Sequence, residues 1–200
     1  ARAFRIRWRG SAQQWVYDLH AVVGVCVLPV WLLVAGTGVM LAEPDWFRPT
    51  MQRVSPISRA PNVSEPGFEV SQLAVNAEQA IALARQRFPD AELRWLETPG
   101  AGRPVWRVQM WQAFEPGRRF PKTQVWVDAR SGVVLAVQDP ATRSASDAVL
   151  AWLHPLHDGE FLGLAGRVAV LLAGLLWVLS VATGLVRWWH KRRAAIHPHP

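Results

Sequence analysis

Two stretches of the chain, residues 19–42 and 168–186, contain no Asp, Glu, Lys or Arg. A helix needs about 17–25 apolar residues to cross a ~30 Å hydrocarbon core, and these stretches predict transmembrane helices over 15–42 and 161–189. The first is longer than the apolar region of a signal peptide and has no small-residue cleavage site just after it, so it reads as a retained span. Between the spans the pattern changes twice. Residues 43–67 are punctuated by Pro44, Pro49, Pro56, Pro61 and Pro66, which predicts an extended linker without helix or central strand. Residues 77–88 then place Ala77, Ala80, Ile81, Ala84 and Phe88 on one side of a helix, with Asn76 as N-cap and Pro89-Asp90 as stop. Alternating runs at 91–97, 105–111, 123–128 and 133–138 predict four strands, the last delivered by the turn Asp128-Ala129-Arg130-Ser131-Gly132. Residues 148–160 form an interfacial segment, an apolar run that Pro155 should break, followed by the polar His157-Asp158-Gly159-Glu160. The expected fold is a membrane α-helical protein with two transmembrane helices and an inserted α+β domain. Its segments are 1–14, 15–42, 43–147, 148–160, 161–189 and 190–200.

Charge orients this arrangement. Of a net charge of +7 over 200 residues, Arg2, Arg5, Arg7 and Arg9 precede the first span, and Arg187, Lys191, Arg192 and Arg193 follow the second. The positive-inside rule then places both termini (1–14 and 190–200) in the cytoplasm and 43–147 on the outer side, the periplasm of a Gram-negative inner membrane. Basic clusters that flank spans meet the anionic headgroups of the bilayer, so the charge does not imply nucleic acid as a partner. The chain has twelve Trp against one Tyr. Trp8, Trp15, Trp46, Trp152, Trp188 and Trp189 sit where the spans end, as in an interfacial belt. Cys26 is the single cysteine, which excludes an intrachain disulfide or thiolate metal site.

Four of the six histidines lie at span edges. His20 and His190 are expected near the cytoplasmic face, and His154 and His157 near the outer one. An ionisable group at membrane depth is costly and marks a candidate site. No acidic partner lies in either window, which disfavours a proton relay and suits imidazole ligands to the iron of a planar cofactor. At about 100° per residue, His20, Gly24, Trp31 and Gly38 share one stripe. Gly24, one turn from His20, would leave room for a macrocycle. The small residues Gly159, Gly163, Gly166, Ala173, Gly174, Ser180 and Gly184 form a second stripe, which helix–helix packing alone would also explain. His197 and His199 read as a solvated tail. His154 and His157 are spaced for zinc, but no third ligand is signalled.

Leu19-His20-Ala21-Val22-Val23-Gly24 with Ala35-Gly36-Thr37-Gly38 resembles the first span of the PepSY-associated transmembrane helix family. The run Leu156-His157-Asp158-Gly159-Glu160-Phe161-Leu162-Gly163-Leu164-Ala165-Gly166-Arg167, continuing to Ala182-Thr183-Gly184 and Trp188, resembles that family's other membrane motif. The helix, the strands and the turn at Asp128 resemble a PepSY domain. Members include inner-membrane iron–siderophore reductases. The resemblance implies b-type haem, one or two per functional unit, with His20 and His157 as axial ligands. His190 and His154 are added by position alone. Those reductases carry four spans where two are predicted here, which implies a homodimer or a partner membrane subunit that completes the bundle. The resemblance further implies a ferric siderophore or other iron chelate as acceptor and a cytoplasmic redox partner as donor. Arg103, Arg107, Arg118, Arg119 and Lys122 would either meet that anionic chelate or form a solvated sheet edge. Two other readings stay open. One is a haem-bearing subunit passing electrons between a periplasmic dehydrogenase and quinone, and the other is a non-enzymatic, membrane-anchored regulatory protein.

Overall fold

The computed structural model describes residues 11–196, in the order α1 (Ala12–Ala42), α2 (Pro44–Val54), α3 (Ala77–Arg87), β1 (Glu92–Glu97), β2 (Val105–Trp111), β3 (Thr123–Asp128), β4 (Val134–Gln138), α4 (Ala145–His157) and α5 (Gly163–Ile196). Short 3-10 turns lie at Val70–Gln72, Pro140–Thr142 and Glu160–Leu162. The cluster Arg2, Arg5, Arg7 and Arg9, with Trp8 and the tail histidines His197 and His199, lies outside the described residues. The chain divides into two units. One is built from α1 up to Val39 together with the chain from Leu156 onward, and the other is Met40–Pro155.

The first unit is a pair of long helices. At 1.5 Å per residue, the 31 residues of α1 reach about 46 Å, more than the ~30 Å of a hydrocarbon core. Apolar side chains cover their outsides, and Leu32, Leu164 and Val178 are 65%, 79% and 68% exposed. Leaving such surface in water would be strongly unfavourable, and lipid removes the cost. The turn into α5 is tight. Gly159 and Gly163 have φ of +76° and +62°, and a Cβ on Gly166 would overlap the Gly159 carbonyl, so close backbone approach explains part of the second glycine stripe.

The second unit is the α+β module. Its sheet is an antiparallel meander in the order β1-β2-β3-β4, with Val108 opposite Val125 and Trp106 opposite Val127. Alternation sends Trp106, Val108, Met110, Val125 and Val127 to one face, where α3 supplies Ala80 and Ala84 to the same core. The small alanines let the helix lie close to the sheet. Asn76 caps α3 by accepting from the Gln79 amide at 2.9 Å, and Gln79 reciprocates to the Asn76 amide. The opposite sheet face carries Arg107, Gln124 and Trp126.

Two proline-based expectations are corrected. Residues 44–54 are helical: Pro44 stands at the N-terminus of α2, where a missing N–H is harmless. Pro49 lies inside, and the helix tolerates one lost ladder bond because Ser55 and Ser146 fasten its C-terminal end to α4, with Ser146 Oγ donating to the Met51 carbonyl at 2.7 Å. Likewise α4 runs through Pro155, which is fully buried.

Candidate functional site

His20 and His157 sit in reciprocal clamps, one made by α5 for a ring on α1 and one made by α1 for the ring at the C-terminal end of α4. Nδ1 of His20 lies 3.1 Å from the Ser180 carbonyl and 3.1 Å from Thr183 Oγ1 on α5. Nδ1 of His157 lies 3.0 Å from the Val34 carbonyl and 3.2 Å from Thr37 Oγ1 on α1. Each threonine spends its own proton on its helix. Thr183 donates to the Leu179 carbonyl at 2.8 Å, and Thr37 to the Leu33 carbonyl at 2.7 Å. A carbonyl only accepts, so Nδ1 carries the proton in both rings and the lone pair is left on Nε2. No hydrogen bond engages either Nε2 among the described residues. Fixing the tautomer through the far nitrogen is how metal-binding histidines are oriented.

The glycines beside the threonines complete the clamps. A Cβ on Gly184 would lie 3.2 Å from His20 Cε1, and one on Gly38 would lie 3.0 Å from His157 Cε1. Each Thr-Gly pair thus offers an acceptor and a gap for the ring edge. Thr37 and Thr183, buried to 6% and 8% exposure, are the site residues that the histidine pattern alone did not identify. Their signal was present in the repeated Thr-Gly of the two motifs. Between the clamps Trp31 donates from Nε1 to the Ala173 carbonyl at 2.9 Å and meets the Trp177 ring at 5.2 Å between centroids. Gly24 has nothing within 4 Å of where a Cβ would be, so the surface beside it is open.

The remaining candidates are placed differently. His190, on α5, keeps a buried Nδ1 without a hydrogen-bond partner. His154 belongs to the α+β unit, where its ring stacks on Phe120 at 4.2 Å. It therefore has different surroundings from His157, and among the described residues no group of three or more His, Cys, Asp or Glu is arranged to hold a metal ion. Of the five basic residues, Arg107 and Lys122 line one cavity, and three have partners of their own. Arg118 binds Glu92 and covers the Trp111 ring, Arg119 covers Phe120, and Arg107 pairs with Glu97 at 2.8 Å.

The sequence profile described as the PepSY-associated TM region matches residues 1–191. No curated protein matches the chain.

Proposed function

Because the chain belongs to the PepSY-associated TM region family, we propose that it is an inner-membrane electron-transfer protein that holds b-type haem and reduces a ferric siderophore or other iron chelate in the periplasm. On this reading both termini are cytoplasmic and the PepSY-like domain between the spans presents the acceptor. The observation that carries it is the pair of locked imidazoles. Both Nδ1–H groups are tied to backbone carbonyls, which leaves Nε2 of His20 and His157 as the donor an iron requires. The donor set fits the group, and the open surface at Gly24 fits a planar ring system lying against α1.

When bound, haem supplies one-electron chemistry. The chain's own residues do the rest. Ser180 and Val34 carbonyls hold the imidazoles in one tautomer, while Thr183 and Thr37 fix the ring planes. The apolar spans exclude water and so favour the less charged state of whatever they enclose. Placing one histidine site toward each end of the helix pair divides a ~30 Å crossing into shorter steps.

A reduced-minus-oxidised spectrum of the detergent-purified protein from haem-replete cells tests this. A b-type signal is expected, lost in the His20→Ala, His157→Ala double variant, and a ferric siderophore should reoxidise the reduced protein at once. A colourless, iron-free preparation would overturn the reading.

A further inference from the structure

On the sheet face opposite α3, the α+β unit encloses a cavity of about 330 Å³, a size usual for small-ligand sites. Its polar lining is rich in donors. Arg48 from α2, Lys122 before β3 and Arg143 before α4 all reach it, and none has a salt-bridge partner among the described residues. Arg143 Nη1 and Trp126 Nε1, both lining the cavity, are buried N–H donors without any acceptor. Buried donors are rarely left so. The two lining acids are already committed, Asp147 to the amide and hydroxyl of Ser58 and Asp139 to Gln112 and the Ala141 amide. Three cations, Arg48, Lys122 and Arg143, thus face two carboxylates, and the Arg143 Nη1 and Trp126 Nε1 donors are left without an acceptor that an anionic ligand would supply.

Gln124, Gln138 and His154 add polar groups, and part of the remaining lining is apolar. Met40 and Leu41 come from the C-terminal turn of α1, and Leu150 and Leu153 come from α4. Trp46, two residues before Arg48, is 75% exposed, as an aromatic at the headgroup level would be. A soluble anion would use the cations and leave these carbons idle, whereas an amphiphile uses both.

We propose that this cavity is a binding site for the headgroup of an anionic phospholipid, with the phosphate oxygens received by Arg48, Lys122, Arg143 and Trp126 Nε1–H and the glycerol and first methylenes lying along Met40, Leu41, Leu150 and Leu153. The site rests on the chain spanning a membrane and is independent of haem. Burial pushes the Lys122 pKa down, Arg107 and Arg48 push the same way, and Glu115 and Asp147 offset only part of this. A phosphate beside the ammonium would relieve that strain.

The test uses the full chain in detergent, titrated with short-chain phosphatidylglycerol, short-chain phosphatidylcholine or inorganic phosphate, with bound mass read by native mass spectrometry and the thermal midpoint followed in parallel. Phosphatidylglycerol should bind one per chain and raise the midpoint, phosphatidylcholine should bind more weakly, and inorganic phosphate should neither bind appreciably nor displace the lipid. Arg143→Gln should weaken phosphatidylglycerol by about fivefold and Arg48→Gln, Arg143→Gln by about 25-fold, while the control Arg85→Gln on α3 changes nothing. Lys122→Met removes a buried charge, so it should raise the midpoint of the lipid-free protein and still lose phosphatidylglycerol binding, which separates a lost site from a lost fold. Equal binding of the two lipids, affinity unchanged in these variants, or inorganic phosphate binding as tightly as the lipid would each overturn the proposal, as would displacement of the lipid by a soluble ferric chelate. A colourless protein that still binds phosphatidylglycerol removes the haem reading and leaves this one standing.

Discussion

At the scale of single residues, the clamps depend on atoms that are absent as much as on those present. A Cβ on Gly38 or Gly184 would press on the ring of His157 or His20 at 3.0 and 3.2 Å, so the ring would have to give by a few tenths of an ångström. Gly36, two residues from Gly38, has nothing within 4 Å, so its replacement probes helix propensity alone. Gly38→Ala and Gly184→Ala should tilt the imidazoles out of their carbonyl contacts and lower haem retention by about tenfold, the scale seen when an outer partner of a ligand is lost. Gly36→Ala should keep haem and gain up to about 1 kcal/mol of helix stability. Haem content per chain and thermal midpoint, measured together on the three variants, check this; equal loss in all three would mean that the glycines matter for packing in general. Thr37→Val and Thr183→Val remove one of two acceptors while the carbonyl remains, so each should weaken retention less than its glycine neighbour does.

At the scale of elements, local chemistry decides what folds reliably. The turn between β3 and β4 is held by Asp128, whose carboxylate accepts from the Ser131 amide at 2.7 Å and the Arg130 amide at 2.9 Å. Partial burial opposes ionisation, but these donors prevail and keep the Asp128 pKa below its ordinary 3.8. The unfolded chain therefore binds the proton more readily, so this stability is complete above about pH 5 and is lost as pH falls through the depressed value. Asp128→Asn should cost about 1 kcal/mol at neutral pH after allowing for solvent screening, and should flatten the fall in thermal midpoint between about pH 5 and 2. The same turn was legible in the sequence because its chemistry is local, as were α3 with its Asn76 cap and the strands over Val105–Trp111 and Thr123–Asp128. The helices α2 and α4 were not, because Pro49 and Pro155 lower local propensity and their support comes from contacts such as Ser55 with Ser146, 91 positions apart. For the same reason His20 and His157 stood out by type and position. Arg48 and Arg143, separated by most of the α+β unit, gave no signal that they would meet Lys122 at one cavity.

At the scale of the whole molecule, the two clamps limit how a cofactor is shared. His20 is held opposite Thr183, and His157 opposite Thr37. Along α1 the levels of residues 20 and 37 differ by 17 positions, about 25 Å at 1.5 Å per residue. On the proposed function, His20 and His157 of one chain would be too far apart to hold the same haem, and each would need a second imidazole at its own level. His190 lies seven residues beyond Thr183 on α5, two turns along the same helix face and about 10 Å farther along the axis. On the proposed function a second copy of the chain would supply both levels, since a two-fold axis along the membrane normal would bring each histidine to the depth of its mate. The apolar exposure of α1 and α5 is compatible with such a four-helix bundle. The expected result is therefore a dimer by light scattering in detergent with one haem per chain by haemochrome assay. His20→Ala and His157→Ala should each halve that content and leave different residual potentials, because the surviving site lies at a different end of the helices. A monomer carrying the full complement, or loss of all haem in both single variants, would show that the histidines are not paired level by level.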